Sequence, residues 1–124
     1  RALMFAGVVH ADRVEERLRL AIARNGFAAE YHAARAANEL TREHPDRRTV
    51  TDGYTAALGL NPADVRLRLD YARALEQRLR DPQAAAEQYR TALDYDAMLP
   101  QDEPKRLSAS DRARIEADLR RLGR

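Results

Sequence analysis

The sequence predicts an all-α protein: an antiparallel helical-hairpin solenoid of about three repeats, the first partial, closed by a C-terminal capping helix. Three observations carry that prediction. Ala57-Leu58-x-x-Asn61 has a counterpart 36 residues earlier at Ala21-Ile22-x-x-Asn25 and another 35 residues later at Ala92-Leu93-x-x-Asp96. Extended toward the N-terminus, the trios Val14/Leu18/Ala21, Val50/Tyr54/Ala57 and Ala85/Tyr89/Ala92 each fall at i, i+4, i+7, one helical face ending in a small residue. Strand signals are scarce, since β-branched residues are few and nowhere alternate with polar ones over a strand's length.

A two-helix hairpin cannot bury its apolar face alone, so units with a period in the mid-thirties are expected to stack. Ala21, Ala57 and Ala92 let helix backbones approach, and Tyr54 and Tyr89 fill the space beside them. At 124 residues the chain is one domain's worth of sequence. Its 22 basic and 20 acidic residues leave a net charge of +2, which gives no strong drive toward nucleic acid or anionic membrane. With no cysteine, disulfides, thiolate metal sites and cysteine nucleophiles are excluded. No apolar run approaches the roughly 20 residues of a membrane span. Ala2 to Val9 is too brief for one and lacks the basic start and cleavage site of a signal peptide. The opening at Arg1 rather than Met suggests a mature or truncated product.

Element by element, Arg1 to His10 reads as the end of a first helix, with Ala2, Phe5, Ala6 and Val9 as its stripe. Asp12, with Glu15 completing a capping box, is expected to open a second helix from Arg13 to Arg24, ended by Asn25 and Gly26. An alanine-rich helix follows from Phe27 to about Glu43, broken by His44-Pro45-Asp46. The next is expected from Thr49 or Thr51 to Asn61-Pro62, with Gly53 costing about 1 kcal/mol relative to Ala.

Asp64 to Arg80 is expected to be the longest helix, with Val65, Leu69, Ala72, Leu75 and Leu79 on one side and Leu67, Tyr71 and Ala74 on another. Asp81-Pro82 supplies a cap and a proline for a helix reaching about Leu99. After a loop at 100–107, Ser108 or Ser110 caps the last helix. That helix carries Leu107, Ile115, Leu119 and Leu122 on its apolar face, and Arg112, Glu116, Asp118, Arg120 and Arg121 are expected to face out. The expected organisation is a single domain of about seven helices: a partial repeat at 1–26, repeats at 27–62 and 63–99, the loop at 100–107 and the capping helix at 108–124.

These motifs, with the Leu60-Asn61-Pro62 junction, resemble those of tetratricopeptide repeat (TPR) proteins, in a divergent, bacterial form, over most of residues 12–99. The resemblance assigns the three trios to second helices of repeats. The first helices depart from the family pattern, which is reduced to Tyr31-x-x-Ala34 and Tyr71-Ala72-x-x-Leu75, and there is no tryptophan. What the resemblance implies is a protein–protein interaction scaffold or adaptor that binds a peptide segment or partner subunit within a larger assembly.

No catalytic constellation emerges, and neither a cofactor nor a small-molecule substrate is expected. His10, His32 and His44 lack metal-ligand spacing, and the glycines form no phosphate loop. Glu15 with Glu16, and Asp94 with Asp96, read as solvated surface acids rather than an acid and base pair. Arg112, Arg114, Arg120, Arg121 and Arg124 raise a nucleic-acid alternative, which the interspersed Asp111, Glu116 and Asp118 disfavour. A further alternative is a non-catalytic helical part of a larger enzyme.

The expected partner surface is a polar stripe at i, i+4, i+7 and i+11 on two inner helices. It comprises His32, Arg35, Asn38 or Glu39 and Arg42 on the first, and Arg66, Asp70, Arg73 and Gln77, with Arg80 beyond, on the second. Long donors of this kind suit the carboxylates or backbone carbonyls of an extended, mildly acidic segment. Local pairing of Asp70 with Arg66 or Arg73 on a merely solvated face is the competing reading.

Overall fold

The computed structural model describes the backbone of residues 2–24 and 29–123, and side chains over 10–21 and 29–123. The described residues are all-α, with six helices and no strand: α1 (Ala2–Arg24), α2 (Ala29–Glu39), α3 (Arg47–Leu60), α4 (Val65–Gln77), α5 (Pro82–Met98) and α6 (Ala109–Arg121). They fall into two compact units, residues 1–62 and 63–124. The expected stop at Asn25 and Gly26, the start at Phe27 and the stripe Ala2, Phe5, Ala6 and Val9 lie outside the described residues or side chains.

In the first unit α2 packs along α3, and α1 lies against α2. Asp12 does not begin a helix, because α1 runs through it without a break. The segment His10-Ala11-Asp12-Arg13 contains neither Pro nor Gly, so nothing local stops propagation, and a capping-box sequence preceded by helical residues stays in the helix interior. Its carboxylate is used across helices instead, 2.6 Å from Arg42 Nη2.

Helix α2 ends at Glu39, four residues before the expected end at Glu43. Its last turn tightens through Thr41 N–H to Asn38 O and Arg42 N–H to Glu39 O, both 3.1 Å. Buried Glu39 then holds the connection, accepting from Asp46 N–H at 2.8 Å and Arg42 Nε at 3.1 Å. Helix α3 starts at Arg47, earlier than Thr49, since Asp46 is its N-cap and accepts the Thr49 N–H at 3.0 Å. Gly53 sits at a close approach of α3 to α2: a Cβ there would lie 2.8 Å from both Ala36 Cβ and His32 O. Val50, Tyr54, Ala57 and Leu58 are buried on α3.

The second unit repeats the pattern. Helix α4 is capped by Asp64, which accepts Leu67 N–H at 3.1 Å, and α5 by Asp81, which accepts Ala84 N–H at 3.0 Å with Pro82 in its first turn. The end of α4 falls at Gln77, short of Arg80, because Leu79 N–H and Asp81 N–H turn back to Ala74 O and Leu75 O at 3.0 and 2.8 Å. Arg80 takes a left-handed φ of 55° to make that turn.

Between α4, α5 and α6 lies a core of Val65, Leu69, Ala72, Leu75, Ala85, Tyr89, Ala92, Leu93, Leu107 and Ile115. Each of its large aliphatic side chains contributes about 1.5–3 kcal/mol by leaving water. Ala57 and Ala92, at matching positions of the sequence motif, are both fully buried.

Candidate functional site

The charged residues of α4 are spaced so that Arg66, Asp70, Arg73 and Gln77 lie on one face, while Val65, Leu69, Ala72 and Leu75 turn into the core. On α6, Asp111, Arg114 and Asp118 stand at i, i+3, i+7, and Ile115 between them is buried. These two polar faces line a groove of about 620 Å³ whose floor includes Leu69, Leu107 and Ile115.

Polar ties hold α6 and the loop before it in place as the second wall. Asp96 accepts Leu107 N–H at 2.7 Å and Arg112 Nη1 at 3.0 Å. Arg121 Nη2 reaches Glu76 Oε2 on α4 at 2.5 Å, and Tyr89 donates to Glu76 Oε1 at 2.9 Å. Burial first, and then the Glu76 carboxylate, push the Tyr89 hydroxyl well above the usual phenol range, so it stays a donor. Arg106 Nη1 bonds Leu99 O at 2.7 Å and pins the loop between α5 and α6. Arg112 is therefore not the outward residue expected from its helix position, and Asp96 is a buried anchor rather than a solvated acid.

Within the groove the charges are mixed. Arg73 and Asp70 stand 3.9 Å apart, at the limit of ion-pair contact. Partial loss of hydration raises the Asp70 carboxyl above its ordinary range, outweighing the attraction of Arg73, although its side chain remains 61% exposed. Asp118 pairs with Arg121 at 3.2 Å. Arg66 and Arg114 make no hydrogen bond or ion pair among the described residues.

The sequence-predicted partner residues thus separate into two groups. Arg66, Asp70, Arg73 and Gln77 share one groove wall. Arg35, Asn38 and Arg42 are engaged with α1: Arg35 Nε with Glu15 Oε1 at 2.7 Å, Asn38 Nδ2 with Ala11 O at 2.9 Å, and Arg42 with Asp12. His32 is half-buried beside the α2–α3 crossing, and Glu39 is buried in the loop connection. Sequence reasoning weighed Asp111 and Arg114 only for nucleic acid and did not place them on the partner surface, although their i, i+3 spacing beside the apolar Ile115 position was the available signal.

Among the described residues no group of three or more His, Cys, Asp or Glu could hold a metal ion, and no helix is long and apolar enough to cross a membrane. No family model, no curated protein and no solved structure matches this chain.

Proposed function

We propose that this chain is a helical-hairpin repeat module of the TPR type, acting as a protein–protein interaction scaffold or adaptor, and that the α4/α6 groove receives a segment of its partner. The observation that carries the reading is the groove itself. A polar wall on α4 faces a second on α6, and Arg66 and Arg114 have no hydrogen bond or ion pair among the described residues to satisfy them. Guanidinium groups held on a helix face present directional donors to carboxylates and peptide carbonyls. The equivalent burial of Val50/Tyr54/Ala57 and Ala85/Tyr89/Ala92 supports the repeat reading. Nucleic acid fits less well, because the groove carries three aspartates against three arginines.

A photoreactive phenylalanine analogue replacing Gln77, on the groove wall, tests the proposal in an extract of the source cells. A protein crosslinked at position 77, and weakened in the Arg66→Ala/Arg73→Ala variant with helicity unchanged, is the expected result. Crosslinking to nucleic acid, or none at all, would overturn it.

A further inference from the structure

Resting on that reading, we infer that the groove is selective for an extended segment whose acidic side chains stand singly, three residues apart, and that it discriminates against polyanions. The spacing comes from α4. Arg66 and Arg73 are seven residues apart on one face, and a helix rises 1.5 Å per residue, so their stems are separated by about 10.5 Å. A polyproline II segment returns to the same face every third residue, after about 9.3 Å. A β-strand returns to it after about 6.7 Å or about 13 Å, a poorer fit on either side. Carboxylates at i and i+3 of a polyproline II segment therefore meet the two guanidinium groups together.

Both cations are available for this. Arg66 makes no hydrogen bond or ion pair among the described residues. Among the described residues Arg73 is tied only by a 3.9 Å pair with Asp70 between two side chains that are 51% and 61% exposed, a pairing that exchanges readily.

The selectivity comes from the acids. Asp70 sits between the two arginines on α4, and Asp111 and Asp118 line the facing wall. A single carboxylate can be placed on each arginine, but a continuous run of acids or phosphates sets its intervening charges against these aspartates. Like charges so juxtaposed are a specificity device rather than a source of affinity.

Fluorescence anisotropy on the whole chain tests the inference with labelled peptides of equal length. One carries a Glu-Pro-Pro-Glu core, one an adjacent Glu-Glu pair, one Gln in place of both Glu residues, and one is polyglutamate. The spaced peptide should bind about two- to five-fold more tightly than the adjacent pair, as two exposed ion pairs rather than one allow. Arg66→Ala and Arg73→Ala should each remove that advantage, with far-UV circular dichroism unchanged because both side chains lie on the surface. Equal or tighter binding of polyglutamate or the adjacent pair overturns the inference, as does a preference that survives both substitutions. If no peptide binds while position 77 still crosslinks a protein, the groove is a partner site and the charge-spacing inference is wrong. If neither is seen, both fall.

Discussion

The Asp96 carboxylate on α5, fully buried, lies 3.0 Å from Arg112 Nη1 on α6, whose side chain is one third exposed. With Leu107 N–H on its other oxygen, the carboxylate is satisfied only while the C-terminal segment is docked. Removing one partner of such a pair leaves an uncompensated charge out of water and costs about 3–5 kcal/mol. Arg112→Ala, which leaves the Asp96 charge buried, is expected to destabilise the protein on that scale in urea unfolding, and Asp96→Ala by less, because Arg112 is one third exposed and keeps Glu116 at 3.4 Å. Asp96→Leu combined with Arg112→Met should recover part of the loss, because apolar residues can replace a buried ion pair without its charge penalty, while the Leu107 N–H is left without its acceptor. A single substitution costing less than about 0.5 kcal/mol, the usual range for surface changes, would show that the pair does not anchor α6.

The all-α class was legible because each cue is local. Asp64, Asp81 and Ser108 cap helices where an oxygen-bearing side chain precedes an apolar-periodic run, and Pro45 and Pro82 fall at breaks or first turns. The α4 stripe was legible for the same reason: spacing alone places Arg66, Asp70, Arg73 and Gln77 on one face. What local spacing does not carry is the identity of a distant partner. Arg35 and Arg42 look like free donors until Glu15 and Asp12 arrive from α1. Asp96 looks like a surface acid until Arg112, sixteen residues later, closes on it. The same limit hid the continuity of α1, where a cap sequence and an interior sequence are the same letters.

Gly53 and Gly59 lie on the same helix and should respond oppositely to alanine. A Cβ at Gly53 would lie 2.8 Å from Ala36 Cβ and from the His32 carbonyl, so the α2–α3 crossing must open. Overpacking of this kind typically costs about 1–3 kcal/mol, against a propensity gain of about 1 kcal/mol. Gly53→Ala is therefore expected to be neutral to about 2 kcal/mol destabilising. At Gly59 a Cβ meets nothing within 4 Å, so Gly59→Ala should stabilise by about 0.5–1 kcal/mol. Thermal melts of the two variants decide it, and a stabilised Gly53→Ala would mean that the two helices are not this close.

Arg80 offers a backbone test at the α4–α5 turn. Its φ of 55° puts a side chain where Cβ crowds the following carbonyl, at a cost of roughly 1–2 kcal/mol. Glycine removes that cost but loses more entropy on folding, about 0.4–1 kcal/mol. The expected net effect of Arg80→Gly ranges from none to stabilisation of about 1.5 kcal/mol. Arg80→Val should destabilise, since β-branching makes the left-handed region worse. Chemical denaturation showing valine as stable as glycine would rule out a left-handed turn at this position.

Two aspartates with shifts of opposite sign predict opposite pH effects. Asp46 caps α3, and hydrogen bonds from the Thr49 hydroxyl and N–H, at 2.7 and 3.0 Å, hold its carboxyl below the ordinary range. Its folded pKa is thus lower than its unfolded one. The stability it contributes is present above the unfolded value, about 4, and is lost as pH falls through the folded value. Asp70 is the reverse: its folded pKa is raised by loss of hydration, so its contribution is largest below the unfolded value and declines as pH rises through the folded one. Melting curves from about pH 7 down to about pH 2 should show Asp46→Asn flattening the acid loss seen in the parent, because asparagine still accepts the cap bond but does not titrate. Over the same range Asp70→Asn should gain on the parent as pH rises through the raised folded pKa and keep that advantage at neutral pH, where the parent bears a carboxylate crowded into the groove. Parallel curves for the parent and Asp70→Asn would mean that the groove walls do not desolvate this residue, and parallel curves for Asp46→Asn would mean that the cap does not favour the ionised form.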